Sequence, residues 1–313
     1  GRYAKLVEQK GASRMRRRGV PLVDLLIALA VRALAMGLLM PTLARRRQLA
    51  FRTTCANNLA SIGRHMLIYA GDWEDTFPRA GTRTAVWGPV VWNAPNRNAA
   101  YGITTADNTG GNASITASLF LLIEYGLTPG SFVCPGDVGT TEWVLGNETA
   151  TPRPARMLDC WDFGAKPQSK VSYAYHTPFR TFGMTCADEP SFAIAADRNP
   201  WMETPGRSAK PFPGTFNGKA GSVDHRKYGN STIHRNDGQN VLFLDGHVSF
   251  ARKPFCSFED DNIYTRSRFP DRGDDLGTPP AFDPNFLPNN RKKDSLLVQD
   301  PLSAWARGGT QTP

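Results

Sequence analysis

Three sets of side chains in this 313-residue sequence are of types that carry chemistry. His234, Asp245 and His247 form the first, because imidazole and carboxylate together serve zinc binding or general acid and base work. Asp245 and His247 stand two apart, so on a strand both point to one side. The plainer assignment makes Asp245 a turn residue beside Gly246, and His234 a hydrogen-bonding loop residue. The second set offers oxygen only: Glu259-Asp260-Asp261 with Asn262, then Asp271, Asp274 and Asp275. Carboxylate oxygens suit calcium, which makes Glu259, Asp260 and Asp261 candidate calcium ligands. The twelve-residue calcium-loop pattern is missing, so a solvated acidic loop competes with that assignment. The third set is five cysteines, Cys55, Cys134, Cys160, Cys186 and Cys256, with no CxxC metal spacing.

Other chemistries have no foothold. The sequence contains no Gly-x-Ser-x-Gly elbow, no phosphate-binding loop and no His-Glu-x-x-His. The expectation is a protein without catalytic activity and, calcium aside, without a cofactor.

The elements that hold these residues are readable from patterning. Val241, Phe243, Val248 and Phe250 alternate around Asp245-Gly246, which predicts a β-hairpin over about 240–250 closed by a type I′ turn. Further strands are predicted within Ala85–Trp92, Val171–Tyr175 and Phe192–Ala196, and a short helix over Ser114–Tyr125. No repeat of 20 to 50 residues is present. The stretch 266–313, rich in Pro, Asp, Arg and Gly, is expected to wrap the surface or to be partly disordered.

Toward the N-terminus the texture is different. Leu22 to Met40 is nearly free of charge, Asp24 and Arg32 excepted. At ~1.5 Å per residue its ~19 residues make a helix of ~28 Å, close to the ~30 Å of a bilayer's hydrocarbon. A helix buried in a soluble core is the alternative. The basic residues ahead of the segment favour a membrane span with its start on the cytoplasmic side and the remainder outside the cytoplasm. Past Pro41, which is expected to kink the helix, Cys55, Leu59, Ile62, Met66 and Tyr69 recur at spacings of four and three. That face is where a folded domain should pack, and Gly71-Asp72 supplies the stop.

The formal charge of +9 does not argue for nucleic acid. Arg2, Lys5, Lys10, Arg14, Arg16, Arg17 and Arg18 crowd ahead of Gly19, and the rest shows no basic surface interleaved with stacking aromatics. Nucleic acid is not an expected partner. If the domain lies outside the cytoplasm, disulfides are permitted, and the four cysteines outside the helix allow three pairings, with Cys55 left as a buried free thiol. Five reduced, buried thiols are the alternative.

Several blocks together resemble a bacterial group. Arg16-Arg17-Arg18-Gly19-Val20-Pro21-Leu22-Val23-Asp24-Leu25-Leu26 resembles the prepilin-type cleavage and methylation segment of type IV pilins and type II secretion pseudopilins. Cys55-Ala56-Asn57-Asn58-Leu59, Phe132-Val133-Cys134-Pro135, Ser172-Tyr173-Ala174-Tyr175 and Ala196-Asp197-Arg198-Asn199-Pro200 continue the likeness. His234 followed by Asp245-Gly246, then Asp261-Asn262-Ile263-Tyr264-Thr265, is similar to a processing-associated C-terminal domain in which a His precedes Asp-Gly by about ten residues. The resemblance runs from Gly19 to Thr265.

What the resemblance implies is specific. A prepilin peptidase would cut between Gly19 and Val20, and Val20 would be methylated. Asp24 stands where a glutamate is usual, and would pair with the terminal ammonium of a neighbouring subunit to set register between packed helices. The implied fold is α+β, pilin-like: a basic leader at 1–19, a long helix at 20–72 crossing the membrane at about 22–40, and a domain at 73–265 built on a mainly antiparallel sheet. The expected function is that of a non-enzymatic, pilin-like or pseudopilin-like structural protein in the bacterial inner membrane, single-pass, with its domain extracytoplasmic or at the cell surface. Its partners would be the peptidase, membrane lipid, and like subunits or other pseudopilins of a filament or secretion pseudopilus. The competing expectation is a monomeric, membrane-tethered module binding carbohydrate or another surface ligand, with Trp73, Trp87, Trp92, Trp143, Trp161 and Trp201 as contacts.

Overall fold

A computed structural model of the chain describes residues 22–149, 151, 153–213, 216, 222–281 and 283–302. Gly19 and Val20, the residues of the expected peptidase cut, lie outside the described residues. Contacts divide the chain into two units at residue 47, and each is taken by itself.

Helix α1 spans Leu22–Asp72 and continues through Pro41 without a break in its assignment. In the first unit its described side chains are exposed, including Leu22, Leu26, Leu34 and Met40 at 74%, 57%, 68% and 66%. This helix is long and apolar enough to cross a membrane, its most apolar window having a mean hydropathy of 2.2 and no buried residue. Asp24 occupies its first turn and is exposed.

The second unit is α+β. Its main sheet has five antiparallel strands in the order β6-β5-β4-β3-β7: β3 (Tyr173–His176), β4 (Ala193–Asp197), β5 (Gln239–Phe243), β6 (Val248–Ala251) and β7 (Leu297–Val298). A two-stranded parallel pair, β1 (Val86–Trp87) with β2 (Asn112–Ala113), lies apart from it, so the strand predicted over 85–92 shrinks to two residues. Short helices α2 (Arg97–Tyr101) and α3 (Ile115–Phe120) follow β1 and β2, and α3 tightens into a 3₁₀ turn at Leu121–Ile123, inside the predicted helix.

The α1 stripe Cys55, Leu59, Ile62, Met66 and Tyr69 is buried in one cluster with Tyr173, Tyr175, Leu242 and Val298 of the sheet. Each of its large aliphatic side chains contributes roughly 1.5–3 kcal/mol through burial. Gly63 allows the close approach: a β-carbon there would sit 2.7 Å from Leu242 Cδ1. The opposite face of the sheet, with Ala174, Val241, Phe243 and Leu297, is covered by loops that bring Trp201, Phe216, Ile263 and Tyr264.

One expectation is corrected here and another refined. The hairpin forms over 239–251, but its turn is not type I′. Gly246 N donates to Phe243 O at 2.9 Å, and only Gly246 of the pair Asp245-Gly246 has positive φ, at 87°. This is the ordinary turn followed by a left-handed glycine, with one residue more than the two-residue loop. The C-terminal stretch is irregular and largely half-buried or exposed over the described part of 268–293, but part of it enters the core. Leu296, Leu297 and Val298 are fully buried, and β7 pairs with β3.

That stretch also ends in chemistry. Asp300 accepts hydrogen bonds from Ile115 N (3.1 Å), Thr116 N (2.8 Å) and Trp87 Nε1 (2.7 Å), closing the start of α3. The Thr116 hydroxyl lies 2.8 Å from Asp300 Oδ2 and 2.9 Å from Asp162 Oδ2. One hydroxyl proton cannot serve both carboxylates, so burial together with the Asp300 charge pushes Asp162 up to about 8. The folded chain thus keeps a proton that the unfolded chain releases near 3.8. Stability from this carboxyl is complete in acid and declines as pH rises from about 4 through about 8. Buried His176, held down to about 4, acts in the opposite sense below its ordinary 6.5. Between pH 6 and 9, melting temperature should therefore fall in the wild type and fall less in Asp162→Asn, whose amide donates at any pH. Equal slopes in a calorimetric pH series would contradict the assignment.

Candidate functional site: a buried cysteine, aspartate and histidine cluster

The buried helix stripe brings Cys55 against the sheet, and the residues it meets come from three other places in the chain. Cys134 follows the short 3₁₀ helix Pro129–Phe132, where its amide donates to Ser172 Oγ (3.0 Å) and Asn58 Nδ2 of α1 donates to Val133 O (2.9 Å). These bonds hold the 132–134 turn on α1 beside Cys55, and the two cysteines form a disulfide. The expected free thiol at Cys55 is thereby corrected: Cys160, Cys186 and Cys256 are the free cysteines. The helix face could predict burial of Cys55 but not its partner, 79 residues on.

Asp197 reaches the same place through a bulge. In β4 the register against β5 slips between Ala193 and Ala195, so Ala193 faces the loops while Ala195 faces the helix. Alternation then sends Ala196 to the loop side and Asp197 to the helix side, directly opposite Tyr173 of β3. Burial and the Asp197 charge raise the Tyr173 phenol far above its ordinary value.

His234 arrives on a turn. Arg235 and Asn236 both take left-handed φ, 58° and 63°, and Asp237 N donates back to His234 O (3.2 Å). Two consecutive left-handed residues mark a primed turn, so that geometry occurs here and not at Asp245-Gly246. Asn230 ties the turn down by donating to Asn236 O (3.0 Å) and Arg252 O (2.9 Å). Asp237 forms an ion pair with Arg52 of α1, whose guanidinium lies over the Phe250 ring at 4.4 Å.

The result is a group in which Cys55, Cys134, Asp197 and His234 each offer a ligand atom, all within 4.8 Å of one another and all buried. His234 Nε2 lies 3.2 Å from Asp197 Oδ2 and 3.2 Å from Asn240 Nδ2. Asn240 N donates to Asp197 Oδ2 at 2.7 Å. Asp197 Oδ1 and His234 Nδ1 have no hydrogen-bond partner among the described residues. A buried lone pair without a donor is costly in a folded protein, and sites that retain one are disproportionately functional.

The other candidates are dispersed. Asp245 pairs with His247, whose amide it also accepts (3.0 Å), and the His247 ring stacks on Phe243 at 4.3 Å. That pair and His234 sit at opposite ends of β5, so His234, Asp245 and His247 do not form one centre, and Asp245-Gly246 serves the turn. Of the acidic run, Glu259 pairs with Lys293, exposed Asp260 lies 3.9 Å from Lys253, and buried Asp261 accepts from Asp274 N (2.9 Å) and Ser295 N (2.7 Å). Asp274 is held by Arg268, whose guanidinium donates to both its oxygens. Asp271 is exposed. Each carboxylate of the calcium candidate Glu259, Asp260 and Asp261 thus answers to a different partner.

Of the six tryptophans expected as contacts, Trp87, Trp92, Trp143 and Trp201 are buried and Trp161 is half-buried. Trp73 is 54% exposed and borders a cleft of about 560 Å³ with Tyr69, Arg79, Arg83 and Arg97. No family model, curated protein or solved structure matches the chain.

Asp197 carried no assigned role in the sequence, and Cys134 only a place among the four cysteines open to pairing, although both stand in the blocks that bear the resemblance. Their separation along the chain hides a junction that only strand register and the α1 contact create.

Proposed function

We propose that this chain is a non-enzymatic, pilin-like structural protein, anchored in the bacterial inner membrane by residues 22–40 and presenting its α+β unit outside the cytoplasm. The observation that carries the reading is the apolar helical segment whose side chains find no cover among the described residues of their own unit. Such a run is far larger than the apolar patches that water-soluble monomers tolerate, and lipid or the matching helices of like subunits would cover it. The Cys55–Cys134 disulfide supports an oxidising compartment for the second unit. On this reading prepilin peptidase cuts after Gly19, and Asp24 meets the new Val20 ammonium of a neighbour, in a filament or pseudopilus.

The exposed Trp73 beside the arginine-lined cleft favours a second reading, a tethered monomer that binds a surface ligand. One preparation separates the two. Membranes from producing cells are extracted in detergent, the N-terminal residue is determined by mass spectrometry, and the particles are viewed by electron microscopy. Methylated Val20 with filaments is the expected result. Membrane-bound, dispersed particles would favour the second reading, and recovery in the cytosolic fraction would sink both.

A further inference from the structure

We propose that Cys55, Cys134, Asp197 and His234 form a redox-gated metal site, which takes one Zn²⁺ when the disulfide is reduced and excludes it when the disulfide is closed. Two thiolates, an imidazole and a carboxylate are the donor set of four-coordinate zinc, and neutral His with charged Cys and Asp brings enough negative charge to offset the ion. The atoms are already gathered: one ligand atom from each residue lies within 4.8 Å of every other, and the main rearrangement needed is the parting of the two sulfurs once their bond opens.

Two further observations point to a ligand. His234 has one ring nitrogen beside Asp197 and Asn240 and the other without a partner, so either tautomer leaves a buried lone pair or a buried donor to be satisfied. Asp197 uses Oδ2 for the Asn240 amide and His234, leaving Oδ1 without a partner although fully buried. An ion-free purpose, holding α1 to the sheet, is met by the disulfide alone and accounts for neither atom.

The chemistry balances with a thiol or phosphine as reductant. Two electrons from it open the Cys55–Cys134 bond, and two protons complete the thiols: a thiol reductant supplies them and leaves as its disulfide, while for a phosphine water supplies both the protons and the oxygen of the phosphine oxide. Zn²⁺ then displaces both thiol protons to solvent, and a low-molecular-weight disulfide as oxidant takes two electrons from the thiolates, leaves as its two thiols with protons from solvent, returns the S–S bond and expels the ion. The site thus ties α1 to β4 and the 132–134 turn in either redox state. This inference stands whether or not the chain assembles into filaments.

The test uses the full chain in detergent with Co²⁺ as the spectroscopic probe and Zn²⁺ as the competitor. Anaerobic reduction with a phosphine should open uptake of one Co²⁺ per chain, with a thiolate-to-cobalt charge-transfer band that Zn²⁺ abolishes, while the oxidised chain takes up none. His234→Ala and Asp197→Asn should each weaken uptake by at least the roughly 10–100-fold lost when an outer-shell partner of a metal site is removed. Cys160→Ser, which removes a free thiol elsewhere, should bind as the wild type does. To cover loss of structure on reduction, circular dichroism is followed with Zn²⁺ present throughout, and the metal should raise the melting temperature of the reduced chain. No uptake after reduction, unfolding that Zn²⁺ does not prevent, or equal affinity in His234→Ala would each overturn the proposal.

Discussion

Unfolding of the chain carrying Cys55→Ser together with Cys134→Ser is expected to require about 4 kcal/mol less free energy than unfolding of the wild type. The disulfide spans 79 residues, and closing a loop of that size removes unfolded-state entropy worth about 4–5 kcal/mol in the chain-entropy account. The native state should lose little else, because serine fills almost the same volume and the stripe Leu59, Ile62 and Met66 remains buried. A guanidinium titration in the presence of a chelator, followed by tryptophan fluorescence, measures the difference. The same preparation counts thiols: the denatured, unreduced wild type should show three of its five cysteines free. Five free thiols, or an unchanged unfolding midpoint in the double variant, would remove the disulfide from the description.

The second large effect concerns Arg198, next to the cluster and almost fully buried. Its Nε donates to Asp137 Oδ2 (2.8 Å), while Nη2 donates to Thr140 Oγ1 (3.0 Å) and Gln168 O (2.8 Å). Burial lowers the guanidinium from its ordinary value, with Asp137 opposing that shift, yet an arginine stays charged in any accessible pH range. Asp137→Ala should therefore cost about 3–5 kcal/mol, since it strands a charge that water cannot reach. Asp137→Ala with Arg198→Met should recover much of that loss, because no charge is then buried. The coupling comes from a double-mutant cycle of chemical denaturation. A single-variant cost below about 1 kcal/mol would mean that water or another anion reaches Arg198.

Between them these residues explain the block Ala196-Asp197-Arg198-Asn199-Pro200. Asp197 turns to the helix side and Arg198 to Asp137. Asn199 Nδ2 donates to Tyr264 O (2.8 Å) and Leu297 O (3.0 Å), and its amide donates to Gln299 Oε1 (2.8 Å). Three consecutive residues thus bind the helix, a remote loop and the C-terminal strand to one strand end. The sequence marked the block as notable and offered no reason, because the partners of Arg198 and Asn199 named here all stand 30 or more residues away.

Local order was legible throughout. The period-three-and-four stripe from Cys55 to Tyr69 announced which face of α1 is buried, since side chains repeat on a helix every 3.6 residues whatever they pack against. Alternation located the 240–250 hairpin, and the uncharged run from Leu22 gave a helix able to span a bilayer, because hydropathy and length are properties of the segment alone. What the chain order concealed was set by pairing between distant segments. A one-residue bulge at Ile194 decides that Asp197 faces Cys55, and a slip of one place would have turned it toward the loops. The turn after His234 and the closing strand from Leu297 owe their place to hydrogen-bond partners contributed from elsewhere in the fold. Periodicity records which way a side chain faces; only the packed structure determines what stands opposite, because that depends on register and topology summed over the whole domain.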